Sequence, residues 1–90
     1  MPTVYEINGY KIYIWANEAG EPIHVHIAKS FTPNGTKVWL LSDGSVEVAH
    51  NKSRIPKHKL KALCQSIQQN RYEIEVVWRD LHHGFISYYK

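Results

Sequence analysis

The segment Ile23-His24-Val25-His26-Ile27 alternates strictly between branched aliphatic side chains and histidines. Side chains on a β-strand point to opposite faces in turn, so the pattern predicts a strand with aliphatic side chains on one face and two imidazoles on the other. The aliphatic face needs a hydrophobic layer to cover it. We expect the imidazoles to point away from that layer, towards solvent or a partner molecule.

The residues on either side of this segment predict further strands. Two β-rich runs, residues 4–7 and 10–15, meet at Asn8-Gly9, a pair favoured in type I′ hairpin turns because both positions require positive φ. Residues 37–41 and 45–49 flank Ser42-Asp43-Gly44 and predict a second hairpin. Short strands that follow one another along the chain indicate an antiparallel meander.

The hydrophobic period changes after Pro56. Apolar side chains recur with helical spacing in two sets, Leu60, Leu63, Cys64 and Ile67, then Ile74, Val77, Trp78 and Leu81. The polar Asn70 lies between the sets, so the spacing predicts helices over 56–69 and 71–82. The sequence therefore predicts an α+β fold in one domain, residues 1–90. In it, an antiparallel sheet of about five short strands (4–50) precedes two helices (56–82) packed on one face and an aromatic tail (83–90).

The composition excludes several classes of protein. A chain of 90 residues with 43% hydrophobic and 21% charged side chains is typical of a globular domain and not of a disordered one. Its one cysteine, Cys64, excludes an internal disulfide and fits a reducing compartment. Because no apolar run reaches the ~18 residues of a membrane span and no signal peptide is visible, we expect a cytoplasmic protein without membrane association.

His24 and His26 are the first candidates for chemistry. Two positions apart on a strand, their Cα atoms lie ~6.5–7 Å from each other, so both imidazoles can reach one divalent transition metal ion such as Zn²⁺. The hypothesis takes His50 as third ligand; further candidates are Glu47, His82 and His83. Without a metal, a neutral and a protonated imidazole can serve as catalytic base and acid, as in RNA cleavage. The simplest alternative is a pair of polar side chains on a solvated face.

Basic side chains are concentrated between residues 51 and 63, where no acidic residue occurs: Lys52, Arg54, Lys57, Lys59 and Lys61. In a chain with a net charge of +3, this segment predicts contact with RNA, DNA or an acidic protein, and a solvated start of a helix is the simpler alternative. If the histidines cleave RNA, the cation that stabilises the phosphate charge is Lys37, Lys52 or Arg54.

Ordered blocks along the chain resemble a known family. The most specific block is Glu21-Pro22-Ile23-His24-Val25-His26, and the others are residues 1–4, 8–12, 17–18, 37–40, 46–52, the basic helix and Trp78. Over residues 1–82 the chain resembles the small prokaryotic proteins of the domain of unknown function 4160 family. The resemblance implies no established activity. Members are often encoded beside another short domain, in pairs proposed to be toxin–antitoxin-like, which implies a partner protein and an RNA or regulatory target.

These observations predict a small binding or regulatory domain that acts through a partner protein or as a homo-oligomer. A partner chain would also help a domain of this size to cover its apolar surface, because small domains bury only ~60–65% of their unfolded surface. The first alternative is a small histidine-dependent RNA-cleaving or metal-assisted hydrolase. The second is a nucleic-acid-binding module that uses the basic segment.

Overall fold

Five antiparallel strands and two α-helices make up the part of the chain that the structure, a computed structural model, describes (residues 3–90). The strands are β1 (Thr3–Ile7), β2 (Tyr10–Tyr13), β3 (His24–Ala28), β4 (Thr36–Leu40) and β5 (Val46–His50), followed by α1 (Lys57–Gln69) and α2 (Arg71–Leu81). A 3₁₀ helix, Ala16–Glu18, separates β2 from β3. The predicted α+β fold is confirmed. Met1 and Pro2, which belong to the first block of the family resemblance, lie outside the described residues.

The sheet has the order β1-β2-β3-β4-β5, so each strand pairs with its neighbour in sequence, as the meander predicts. Asn8 and Gly9 have φ values of 51° and 81°, the left-handed pair that a type I′ turn requires. β2 ends at Tyr13 and not at residue 15, because the chain turns into the 3₁₀ helix at Ala16. The pairing of β4 with β5 shifts register between Lys37 and Val38.

The two helices pack on one face of the sheet. Val25 and Val38 are paired on β3 and β4 and fully buried, and they join one hydrophobic core with Leu63, Ile67 and Ile74 of the helices. Each fully buried aliphatic side chain of this kind contributes ~1.5–3 kcal/mol of transfer free energy. Neither helix within residues 3–90 has the length and apolarity that crossing a membrane requires.

The helix boundaries follow local signals. The break falls at Asn70, as predicted, and the N–H of Asn70 donates to the Ser66 carbonyl at 2.9 Å. α2 ends at Leu81, and Gly84 follows with a φ of 83° and an N–H that donates to the Arg79 carbonyl at 2.8 Å. The left-handed residue directly after the cap is His83, with a φ of 57°, and the bond from Gly84 N–H closes the turn that satisfies one of the last carbonyls of the helix.

The second face of the sheet is covered, and the expectation that the imidazoles face solvent is wrong. His24 is 0% exposed and His26 is 5% exposed. The C-terminal tail, residues 85–90, forms part of the cover: Ile23 N–H donates to the Ser87 carbonyl and Ser42 N–H donates to the Lys90 carbonyl, each at 2.8 Å. The alternation along β3 shows which face a side chain occupies, but it carries no information about irregular segments that fold over that face.

Candidate metal centre

Glu18, His24 and His26 bring three potential ligand atoms to one point. The Oε1 atom of Glu18 lies 2.9 Å from Nε2 of His24 and 2.9 Å from Nε2 of His26. The two imidazole centroids are 5.0 Å apart and the rings are inclined by 84°. The three ligand atoms all lie within 4.8 Å of one another, and within residues 3–90 no other group of three His, Cys, Asp or Glu side chains converges in this way.

Two elements create this convergence. β3 places both imidazoles on the same face, as the two-residue spacing predicts. The 3₁₀ helix places Glu18 above them, and its turn is held by hydrogen bonds from Glu18 N–H to the Trp15 carbonyl (3.3 Å) and from Glu21 N–H to the Glu18 carbonyl (3.1 Å). The carboxylate therefore comes from an irregular segment, whereas both imidazoles come from regular structure.

The ring of His26 is held by Tyr13, its cross-strand neighbour on β2. The two rings stack with centroids 5.6 Å apart and an angle of 28°, and the Tyr13 hydroxyl donates to the Thr32 carbonyl at 2.9 Å. Gly35 lies against this pair, and a Cβ at that position would collide with the Tyr13 hydroxyl. A glycine is thus required where the loop after β3 passes the site.

His24 is enclosed by two tryptophans and has one fixed proton. Its ring centroid lies 5.3 Å from that of Trp39 and 5.3 Å from that of Trp78. A carbonyl oxygen can only accept, so Nδ1–H of His24 donates to the Pro22 carbonyl at 2.8 Å. Burial lowers the pKa of His24 and favours its neutral form. In that form Nε2 carries a lone pair and no proton.

The carboxylate of Glu18 faces this lone pair in its ionised form. Partial burial alone would raise the pKa of Glu18, but its contacts with the two histidines, the hydrogen bond from His26 first among them, outweigh burial and lower it. Two acceptor atoms 2.9 Å apart repel each other unless a cation lies between them. That cation is either a proton, which burial of His24 opposes, or a metal ion.

The site borders a pocket on one side. Glu18 and His26 line a depression of about 270 Å³ together with Trp15, Asn17 and Pro33. His24 is not part of this lining and has no exposed surface. A small molecule in the pocket can therefore approach the shared point of the three ligand atoms past His26 and Glu18, but it cannot touch His24.

The structure does not bring His50 to this point. His50 pairs with Lys37, and Lys37 pairs with His26, so two strand spacings, about 10 Å, separate the backbones of the two histidines. Lys37 occupies the intervening position, where its ammonium bonds Glu21 at 2.6 Å and lies 4.2 Å from the centre of the Trp39 ring.

The other candidate ligands also lie elsewhere. Glu47 accepts a bond from Lys90 at 3.0 Å. His82 is buried after α2 and donates from Nε2 to the Trp15 carbonyl at 3.3 Å, while His83 is exposed. The basic side chains are exposed on the loop after β5 and the first turns of α1, away from the pocket lining: Lys52, Arg54, Lys57, Lys59 and Lys61.

Sequence reasoning missed Glu18. The polar segment 17–22 looks like a connecting loop. The available signals were an acidic residue six positions before His24 and the place of Asn17-Glu18 among the blocks of the family resemblance, and neither assigns a role to the carboxylate. That spacing has no meaning until the 3₁₀ helix turns the segment back over β3. Glu18 joins the site through tertiary folding, which a local pattern does not encode.

Comparison with known proteins places the chain in a family. The model of the family described as "Domain of unknown function (DUF4160)" matches residues 9–79. This range contains Glu18, His24 and His26, and it stops before the aromatic tail. No curated protein and no solved structure matches the chain. Because the family model spans most of the chain, the protein belongs to the DUF4160 family.

Proposed function

We propose that the protein binds a divalent transition metal ion through Oε1 of Glu18 and the Nε2 atoms of His24 and His26. One observation carries the proposal: a single carboxylate oxygen lies 2.9 Å from two imidazole nitrogens. In the neutral ring of His24, Nδ1–H donates to the Pro22 carbonyl, so Nε2 is free to bind a metal ion. Two histidines and a glutamate form one of the ligand sets that zinc uses in catalytic sites.

The dimensions suit an ion of this size. Ligand atoms on a tetrahedral zinc are about 3.3 Å apart, given metal–ligand distances of ~2.0–2.2 Å. The three atoms here lie within 4.8 Å of one another, so small side-chain rotations suffice. The bond from His24 to the Pro22 carbonyl is the outer-shell contact that commonly orients a ligating imidazole.

The surroundings favour a catalytic over a purely structural ion. Structural zinc sites take four protein ligands, whereas catalytic sites take three and keep one position open. The open side here faces the pocket walled by Trp15 and Pro33, with the Asn17 side chain as a polar contact. An ion in this position would polarise a substrate oxygen and activate water. We therefore propose metal-assisted hydrolysis as the reaction class.

Burial argues for this function over metal-free acid–base catalysis by the histidine pair. Such catalysis needs both imidazoles within hydrogen-bond reach of the substrate. Only His26 borders the pocket, and His24 is fully enclosed. A metal ion bound between the three side chains contacts His24 Nε2 directly, and the substrate does not have to reach His24. The enclosure of the His24 ring is therefore compatible with a metal site.

Metal content tests the proposal directly. Untagged protein, reconstituted with Zn²⁺ or Co²⁺ and freed of excess metal, should retain about one equivalent per chain, and the Co²⁺ form should show the visible absorption of a tetrahedral site. Glu18→Gln keeps the size and hydrogen-bonding capacity of the side chain but removes its charge, and it should lose the metal. His50→Ala, a histidine outside the site, is the matched control. Equal retention by Glu18→Gln and wild type would refute the site.

Hydrolysis is tested separately from binding. The Zn²⁺ form should cleave an activated phosphodiester or carboxylic ester, such as bis(p-nitrophenyl) phosphate or p-nitrophenyl acetate, and the activity should be absent after chelation and in Glu18→Gln. His50→Ala should keep it. If metal binds stoichiometrically but neither class of ester is cleaved above the rate of free Zn²⁺, the reaction class is refuted and the metal site stands.

The role as a regulatory domain, acting through a partner protein or as a homo-oligomer in a toxin–antitoxin-like pair, stays a prediction that rests on the family resemblance. Co-expression with the product of the neighbouring gene tests it. A complex that survives gel filtration, or a dimer by light scattering, would support it. A monomer that elutes without the neighbour would contradict it.

A further inference from the structure

The cations of the chain fall into two groups. Those in ion pairs are Lys11, Lys37, Arg71 and Lys90. The remaining lysines and arginines of the described chain are all exposed and have no carboxylate partner within 4 Å. Arg79 lies on α2, and the others follow β3 or β5 or lie in the first turns of α1: Lys29, Lys52, Arg54, Lys57, Lys59 and Lys61. In an antiparallel meander the C-terminal ends of β3 and β5 lie at the same end of the sheet. The unpaired charge is therefore concentrated there.

Two pockets share a lining residue at this end of the sheet. The first has a volume of about 430 Å³, and two lysines are among its lining residues: Tyr10, Ala28, Lys29, Thr32, Asn34, Lys52 and Ser53. The second, of about 220 Å³, shares Tyr10 with it and is lined by His58 and Lys59 of α1 together with Asn8, Ala62 and Leu63. We call the two together the basic surface. No Asp or Glu lines either pocket within residues 3–90.

The sequence keeps acidic groups out of both segments that build the basic surface. No Asp or Glu occurs in residues 22–42 or 48–72. Three cationic or ionisable side chains, Lys57, His58 and Lys59, occupy the first turn of α1, which has no acidic residue. Cations there oppose the helix dipole, and a bound anion would relieve that repulsion.

The loop that carries Lys52 and Arg54 is held in place by hydrogen bonds. Ser53 Oγ donates to the Ile27 carbonyl at 3.1 Å and accepts from Thr36 N–H at 3.1 Å. Asn51 Oδ1 accepts from the Thr36 hydroxyl at 2.7 Å and from the backbone N–H of Ile55 at 3.0 Å. A preorganised basic loop loses less conformational entropy on binding than a flexible one does.

Phe31 distinguishes between the polyanions that could bind. Its ring is 45% exposed, lies next in sequence to Thr32 of the first pocket, and is held edge-on against Tyr13 with centroids 5.4 Å apart. The ammonium of Lys11 lies over one side of the ring, 5.4 Å from its centre, so a base would stack on the other side. An exposed aromatic ring beside lysines is the arrangement with which proteins stack unpaired bases while binding the phosphates. An acidic polypeptide has no planar base to place on such a ring.

We propose that the basic surface binds single-stranded nucleic acid, with phosphates at Lys29 and Lys52 and a base stacked on Phe31. The Thr32 hydroxyl and the Asn34 amide supply further contacts to phosphate and sugar. These contacts are to the backbone and to the face of a base, so the binding has little sequence preference. The proposal does not depend on the metal centre.

Fluorescence anisotropy with labelled oligouridylate and oligothymidylate of about ten nucleotides, a typical site size for small single-strand binding folds, tests it. Both should bind, with affinity that falls as salt rises. In the double variant Lys29→Gln/Lys52→Gln, affinity should drop several-fold and the slope of log K against log salt should become shallower by about 1.4, since two phosphate contacts are lost. Arg79→Gln, which removes a cation outside the basic surface, should change neither.

Stacking is tested with a second pair of variants. Phe31→Ala should weaken oligouridylate binding about five-fold or more. Phe85→Ala, which removes a more exposed ring (73%) outside the basic surface, should leave it unchanged. Polyglutamate serves as the acidic-protein probe. The proposal is overturned if no oligonucleotide binds at low salt, if polyglutamate binds as tightly, or if Arg79→Gln weakens binding as much as the double variant. An unchanged affinity in Phe31→Ala would refute the stacking of a base on Phe31, and with it the argument for nucleic acid over an acidic polypeptide.

Discussion

The two faces of the sheet are both buried, but by different means. The face that includes Val25 and Val38 is covered by two regular helices and packs aliphatic side chains. The face that includes His24 and His26 is covered by the 3₁₀ helix and the C-terminal tail, and it packs rings and hydrogen-bonded polar groups. Burial of apolar area is non-directional, whereas a buried polar group needs a partner at the right distance and angle.

This difference means that the two faces should respond differently to substitution. The helix-covered face should tolerate changes that conserve volume. The histidine face should be sensitive to shifts of a few tenths of an ångström, because the close contacts of both imidazoles with Glu18 and the stack of Tyr13 on His26 depend on position. The four predictions below test this contrast.

Trp78 belongs to both faces, and its removal should have the largest effect. It is 1% exposed, joins the helix-side core, and contacts His24 with a centroid distance of 5.3 Å. We expect Trp78→Ala to destabilise the protein by about 3–5 kcal/mol in urea unfolding. Trp78→Phe keeps an aromatic ring in the core and should cost clearly less. Equal losses for the two variants would show that a smaller aromatic ring recovers none of the stability and that the site requires the indole itself.

Gly35 tests the histidine face alone. A Cβ there would meet the Tyr13 hydroxyl, and the fully buried Tyr13 ring cannot move without disturbing its stack on His26. Gly35→Ala should destabilise the protein by about 1–3 kcal/mol, the usual range for overpacking, and should weaken metal binding. Gly20→Ala, at a glycine with open space around it and no positive φ, is the control and should be close to neutral. A neutral Gly35→Ala would mean that the loop after β3 is free to move away.

Acid should weaken the histidine face before the helix face. In the metal-free protein, burial is the main cause that lowers the pKa of His24. Folding therefore gains its full stability from the neutral ring above pH 6.5, the ordinary pKa of histidine, and loses that stability progressively as the pH falls below this value. The pKa of Glu18 is also lowered, and its contribution is lost as pH falls through and below 4.5. The charged or titratable groups that contact His24 are Glu18 and His26.

Thermal unfolding of the chelated protein between pH 8 and pH 4 measures this effect. The midpoint should be level above the ordinary histidine pKa and fall on acidification. Glu18→Gln should remove the part of the decline that belongs to the carboxylate. A midpoint that rises between pH 7 and pH 5 would contradict the neutral state of His24, and with it the lone pair that faces Glu18.

The contrast between the faces also explains how much the sequence could predict. The hairpin at Asn8-Gly9, the projection of His24 and His26 from one side of a strand, and the helix break at Asn70 follow from signals within a few residues, and all are present in the structure. The helix-covered face was predictable because the periodicity of β3 and of the helices needs only one partner layer.

The composition of the site was less predictable. Glu18 reaches the histidines from an irregular segment, and the tail covers them from the other end of the chain, so neither leaves a periodic signal. The sequence predicts His50 as a ligand from its place on a later strand, but strand order and register place Lys37 between it and His26. Register is a tertiary property that depends on turns and a bulge, and composition does not determine it.

Tyr89 tests the outermost layer of the histidine face, and we expect the smallest effect there. Its ring stacks on Trp39 with centroids 4.8 Å apart and planes inclined by 6°, and Trp39 in turn contacts His24. Tyr89→Ala should cost about 0.5–1.5 kcal/mol, the value of an aromatic pair. Tyr72→Ala is the matched control, because Tyr72 is 76% exposed on α2, and it should change stability by less. If both tyrosines prove equally dispensable, the stack of Tyr89 on Trp39 does not stabilise the histidine face, and the tail is held there by its backbone bonds to Ile23 and Ser42.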